Sequence, residues 1–230
     1  MRLERVLLAH AARFVSLATA NLYIRDAVRL LQERYDFVQV PTTPEQLLPE
    51  QGQPIIFEHG RLEHAGRSIV IHKFQIYQQA LVAETGLTTD DSDIVLDDLI
   101  QAGSERGLIR ASGAGRIYGS QLEFRFDGSL DAACPASRLL GKSLSDAMAR
   151  YGAHPSPIPT PKVIGVAIQP DPLRVRLQAD FRIERREGVS YDDNLHFSQA
   201  PLRTSDHVAA LEEFDQTVVA TARAGALGNS

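Results

Sequence analysis

The chain has 230 residues, of which 43% are apolar and 23% charged, and a formal net charge of −5. So much apolar content with so small a charge imbalance excludes a disordered chain, and the acidic balance weighs against a dedicated nucleic-acid binder. Cys134 is the single cysteine, which excludes an intrachain disulfide and a cysteine-built zinc cage and points to a reducing, cytoplasmic setting.

The amino-terminal stretch carries Glu4, His10 and Arg13 where a secretory signal would be apolar. Its longest run without formal charge, Phe14 to Ile24, is far shorter than the roughly 20 residues of a spanning helix, so no membrane segment is expected. Leu3, Leu7, His10, Phe14, Leu17, Asn21, Ile24, Val28, Leu31 and Tyr35 recur at alternating steps of four and three. That spacing predicts an N-terminal helical segment over residues 1–35. Its seam residues Leu7, Phe14 and Leu17 are candidate contacts for a protein partner or a second copy. The competing reading is two helices packed on their own domain, because Val6, Leu8, Val15 and Leu22 make the first half apolar nearly all round.

Pro41, Pro44 and Pro49 then mark a loop with one helical turn at Thr43 to Leu48. Strands are expected at Pro54 to Glu58, Arg61 to His64 and Ser68 to Ala83, separated by turns at His59-Gly60 and Ala65-Gly66. A helix should start at Thr89 and end at Gly103 or Gly107. Leu108 to Ala111 and Arg116 to Phe126 read as strands, and Pro135 to Tyr151 as a helix. The alternating prolines of HPSPIPTPK form an extended, semi-rigid connector. Beyond it, Val163 to Ile168 and Arg174 to Glu184 read as strands, Arg185 to Asp193 as a loop, Leu195 to Phe197 as extended, and a last helix follows.

These elements predict an α+β fold, a mainly antiparallel sheet with packed helices. Its parts are the helical segment 1–35, a sheet-helix module 36–151, the connector 152–161, a second module 162–222 and a disordered tail 223–230. An internal duplication is also expected, because Leu87–Leu99 and Leu202–Phe214 align over thirteen positions without a gap. Phe74-Gln75-Ile76 and Phe181-Arg182-Ile183 lie ahead of the two copies, with an insertion of eight within the second, placed in Arg186 to Asp193.

Chemistry-bearing groups are scattered. Asp90, Asp93 and Asp97 share one helical face and could hold a hard divalent cation, although acids in a first turn also complement the helix dipole. His59 and His64, each following a glutamate, are candidates for acid-base or metal chemistry with His72 downstream. Cys134 precedes Pro135 at an expected helix start, where a thiol can become nucleophilic. Gly113, Gly115 and Gly119 miss the dinucleotide spacing by one residue and lead into a strand, so no phosphate cradle follows. With no strong catalytic motif, the expected function is a non-enzymatic protein-interaction or assembly component, without cofactor, nucleic acid or membrane. The alternative is a hydrolase using a metal or Cys134.

Overall fold

A computed structural model describes residues 1–17, 24–47, 52–134, 137–151, 162–169 and 180–227. The architecture is mixed α+β with antiparallel strand pairs. The chain forms two compact units, one of Val6–Gln121 with Ala200–His207 and one of Met1–Arg5, Leu122–Gln199 and Val208–Ser230. The proline connector, residues 152–161, and most of the expected strand from Arg174 lie outside the described residues.

The molecule opens with strand β1 (Arg2–Leu17), which corrects the expected N-terminal helix; helix α1 follows only at Ile24–Tyr35. In a stretch apolar almost all round, steps of three and four coincide with the strand's alternation at many positions, so periodicity cannot choose between them. Tertiary pairing decides: Ala9 to Phe14 of β1 pair with Thr85 to Ala80 of β4 (Ala80–Thr85). Ala9, Ala11 and Val15 are buried, and alanines let the sheet approach its helices closely. Leu7 and Phe14 have opposite parity along the strand, so the seam of Leu7, Phe14 and Leu17 does not form one helical face.

After the short helix α2 (Pro44–Leu47) comes β2 (Ile55–His64), which runs unbroken through His59 and Gly60 where a turn was expected. His59 takes a left-handed φ of 58°, and a side chain at Gly60 would collide with the ring of Phe37. The other expected turn is real. Ala65 and Gly66, both at positive φ (50° and 78°), make the two-residue hairpin to β3 (Arg67–Ile76), closed by the pair His64 and Arg67. A tight turn then separates β3 from β4, with the Tyr77 amide donating to the Ala80 carbonyl at 2.8 Å. The turn residues Tyr77-Gln78-Gln79 carry no glycine or proline to announce it.

Helix α3 (Thr89–Glu105) is capped by Thr88, whose side chain accepts the Asp91 amide at 3.1 Å. It buries Val95, Leu96 and Leu99 against Phe37, Phe57, Phe74, Ile71 and Leu81, and α1 adds Leu31 and Tyr35 to the same core. Within this unit the strands run β2-β3-β4-β1, followed by β5 (Ile109–Arg125).

The other unit contains α4 (Leu130–Ala133), α5 (Ser137–Tyr151), β6 (Gly165–Ile168), β7 (Phe181–Arg185), β8 (Leu195–Ala200) up to Gln199, and α6 from Val208 onward. Helix α6 (Thr204–Leu227) continues past the point where a tail was expected. Strands there run β6-β7-β8-β5. Their core is aromatic: His196 stacks on Phe124 with ring centroids 5.8 Å apart, and Phe126 meets Phe214 at 5.6 Å. No helix among the described residues is long and apolar enough to cross a membrane.

Candidate functional site

The two aligned stretches, Leu87–Leu99 and Leu202–Phe214, enter their helices in the same way. β4 and β8 share one burial alternation, and each ends four residues before its helix begins. The two helix starts meet through their equivalent threonines. The Thr89 amide donates to Thr204 Oγ1 at 3.1 Å, and the Thr204 amide donates to Thr89 Oγ1 at 3.0 Å. Both threonines are buried, so the exchange satisfies two helix-terminal amides that water does not reach. Replacing either by valine keeps the shape but orphans one of those amides. Thr89→Val and Thr204→Val should therefore each lower stability by about 1–2 kcal/mol in urea unfolding. A change near zero in either would deny the exchange.

Around this contact the aspartates are held by arginines from other elements. Asp93 Oδ2 accepts from Arg116 at 2.8 Å, Tyr118 at 2.7 Å and Arg203 at 3.4 Å, and Arg13 Nε lies 3.6 Å from its other oxygen. Arg13 also donates to Asp97, and Arg203 to Asp90 at 3.1 Å. Arg203 stacks on the Tyr118 ring, its guanidinium carbon 4.6 Å from the centroid. Asp91 is paired with Arg67 at 2.5 Å. Three candidate metal ligands, Asp90, Asp93 and Asp97, are thus brought together, but within a lattice of guanidinium groups. A divalent cation would have to displace those charges, so the arrangement serves to clamp β1, β5 and the two helix starts. Among the described residues no group of three or more His, Cys, Asp or Glu side chains is placed to hold a metal ion.

Beside the threonines, Ser120 Oγ and His207 Nδ1 are 2.8 Å apart, and Ser120 also reaches the Leu202 carbonyl at 3.2 Å. A serine-histidine pair resembles a nucleophile with its base. Here both residues are buried, at 1% and 0% exposure, and burial holds the His207 pKa down to about 4. A substrate from solvent has no route to that hydroxyl, so the pair is a buried polar link. In the aligned stretch the position matching His207 is Ser92, which hydrogen-bonds Thr85 at 2.9 Å and the Ala9 carbonyl at 3.1 Å. Nearby His10 lies over Gly119, where any side chain would collide with its ring, and burial lowers its pKa as well.

The other sequence candidates lie apart from this cluster. His59 and His64 are exposed on β2, and His72 is exposed at the register shift of β3. Cys134 is half-buried and closes α4, three residues before α5 begins. Sequence reasoning missed Arg13, Arg116, Tyr118, Ser120, Arg203 and His207, which come from β1, β5 and the start of α6. Only the equivalence of Thr89 with Thr204 signalled in advance that two helix starts share a role. The sequence matches no family model and no curated protein.

Proposed function

We propose that this chain is a non-enzymatic assembly component, made by duplication of one strand-helix-three-strand-helix module, that associates with a second copy of itself through α5. The duplication reading is supported by the order β2-β3-β4-β1 matching β6-β7-β8-β5, and by the reciprocal threonine bonds at equivalent positions. Helices α1 and α5 are then counterparts, each following the module's first strand.

The observation that carries the assembly reading is a difference between those counterparts. α1 buries Leu31 and Tyr35, four positions apart, at 3% and 1% exposure. α5 leaves Leu140 and Leu144, also four apart, 72% and 47% exposed. Met148 continues the stripe, Ser143 and Ala147 flank it, and the charges Lys142, Asp146 and Arg150 lie round the other side of the helix. Small flanking residues allow close helix approach. A two-fold axis at Leu144 would set Leu140 against Met148 of the second copy, a self-complementary contact.

Sedimentation velocity over a hundredfold concentration range tests this. Association that Leu140→Glu with Leu144→Glu abolishes, with unchanged far-UV circular dichroism, is expected. A monomer at every concentration overturns the reading.

A further inference from the structure

The connection between β7 and β8 is longer than that between β3 and β4. β3 and β4 are joined by residues 77–79, whereas β7 and β8 are joined by residues 186–194. The longer loop is ordered by specific bonds. Ser190 caps a single 3-10 turn at Tyr191–Asp193, and Asn194 takes a left-handed φ of 48°. From there the Asn194 side-chain amide donates to the carbonyls of Phe126 at 2.7 Å and Gly128 at 2.6 Å. Arg186 is tied to Glu123 at 3.2 Å.

Beside the loop is an open cleft of about 880 Å³ with Ile164, Val189 and Phe197 as its apolar lining, Ile164 at its exposed edge. Its charged lining is uneven. Glu184 is turned to Arg182 at 3.3 Å, Arg186 is spent on Glu123, and Glu187 sits at the exposed rim. Arg185 lies over Tyr191, its guanidinium carbon 3.7 Å from the ring centroid; Lys162 Nζ, 5.0 Å from the same ring, stands outside the cleft lining, in a small adjoining pocket that shares Arg185 and Tyr191 and also holds Asp131. Among the described residues neither cation has a carboxylate within ion-pair distance, although Arg185 also donates to the Ser190 carbonyl. The aromatic ring thus gathers two positive charges beside an apolar space large enough for a metabolite-sized molecule.

We propose that this cleft binds a small amphiphilic anion, its apolar body against Ile164, Val189 and Phe197 and its acid group between Lys162 and Arg185. Both cations donate to the anion, and the body displaces water from the wall. The site is independent of the self-association through α5.

The probe is 8-anilinonaphthalene-1-sulfonate, titrated into the folded full chain by fluorescence, with neutral N-phenyl-1-naphthylamine as its uncharged counterpart. Saturable binding of one sulfonate is expected. The double variant Lys162→Gln, Arg185→Gln should weaken it about tenfold or more while changing the neutral dye about twofold or less. Val189→Asp, which adds a negative charge to the wall from an exposed loop, should abolish sulfonate binding and decides the matter if the double variant unfolds. Displacement by decanoate or 1-naphthoate supports the amphiphilic class and tells an aliphatic from an aromatic body. Displacement by inorganic phosphate alone, sulfonate binding unmoved by these variants, or no saturable binding overturns the proposal.

Discussion

Asp93→Ala should lower the stability of the fold by about 2–3 kcal/mol, the largest loss expected from removing any one carboxylate of α3. The Asp93 side chain is 8% exposed and is the common anion of Arg13, Arg116 and Arg203 as well as an acceptor for Tyr118. Removing one partner from a buried ion pair costs roughly 3–5 kcal/mol when the remaining charge stays buried. Arg116 and Arg203 are 39% and 38% exposed, so their guanidinium groups recover part of their hydration and the cost falls below that range. Asp97→Ala and Asp90→Ala provide the contrast. Their side chains are 56% and 63% exposed, and pairs of that kind are worth about 0.2–1 kcal/mol. Urea unfolding of the three variants should rank Asp93 well above the other two. Equal small losses would mean that the arginine lattice is a surface feature and not a clamp.

What the sequence reveals and conceals follows from whether a signal is local. Helix α3 is legible because its early acids and its apolar spacing lie within one stretch, and the Ala65-Gly66 hairpin because Gly66 accepts the positive φ that its turn needs. The thirteen-position match of Leu87–Leu99 with Leu202–Phe214 sets Thr89 against Thr204, and these two threonines are in contact. β1 is not legible as a strand. Its apolar residues satisfy two periods at once, and the choice is made by β4, seventy residues away in sequence. The upstream match expected of Phe74 with Phe181 does not agree with strand pairing: Phe74 pairs with Ala83 while Ile183 pairs with Ser198, so the thirteen-position alignment sets Phe74 against Ile183. The polar cluster was hidden for the same reason as β1. Arg13, Arg116 and Arg203 each look like the wet side of an element, and only folding points all three at one aspartate.

Acidification should weaken the fold before its carboxylates are neutralised, and His207 is the principal cause. In the unfolded chain a histidine takes up a proton near pH 6.5, whereas burial holds folded His207 down to about 4. Above 6.5 neither state is protonated and the residue makes no difference. Between 6.5 and about 4 the unfolded chain binds a proton that the folded chain refuses, so stability falls as the pH falls; below about 4 both states are charged and the loss is complete. The full gap corresponds to about 3 kcal/mol. His10 and His196 act with the same sign, since burial lowers both. Asp98 acts later. Burial opposes its ionisation, but hydrogen bonds from Arg34 and Tyr35 outweigh that and keep its carboxyl below the usual aspartate value. Its contribution is therefore lost only under more acidic conditions. Urea midpoints measured from pH 7.5 to 4 should decline through this window for the native chain. His207→Asn, whose side-chain amide can meet Ser120 without titrating, should flatten most of that decline. An undiminished slope in this variant would place the acid sensitivity elsewhere, and would mean that water reaches the imidazole beside Ser120.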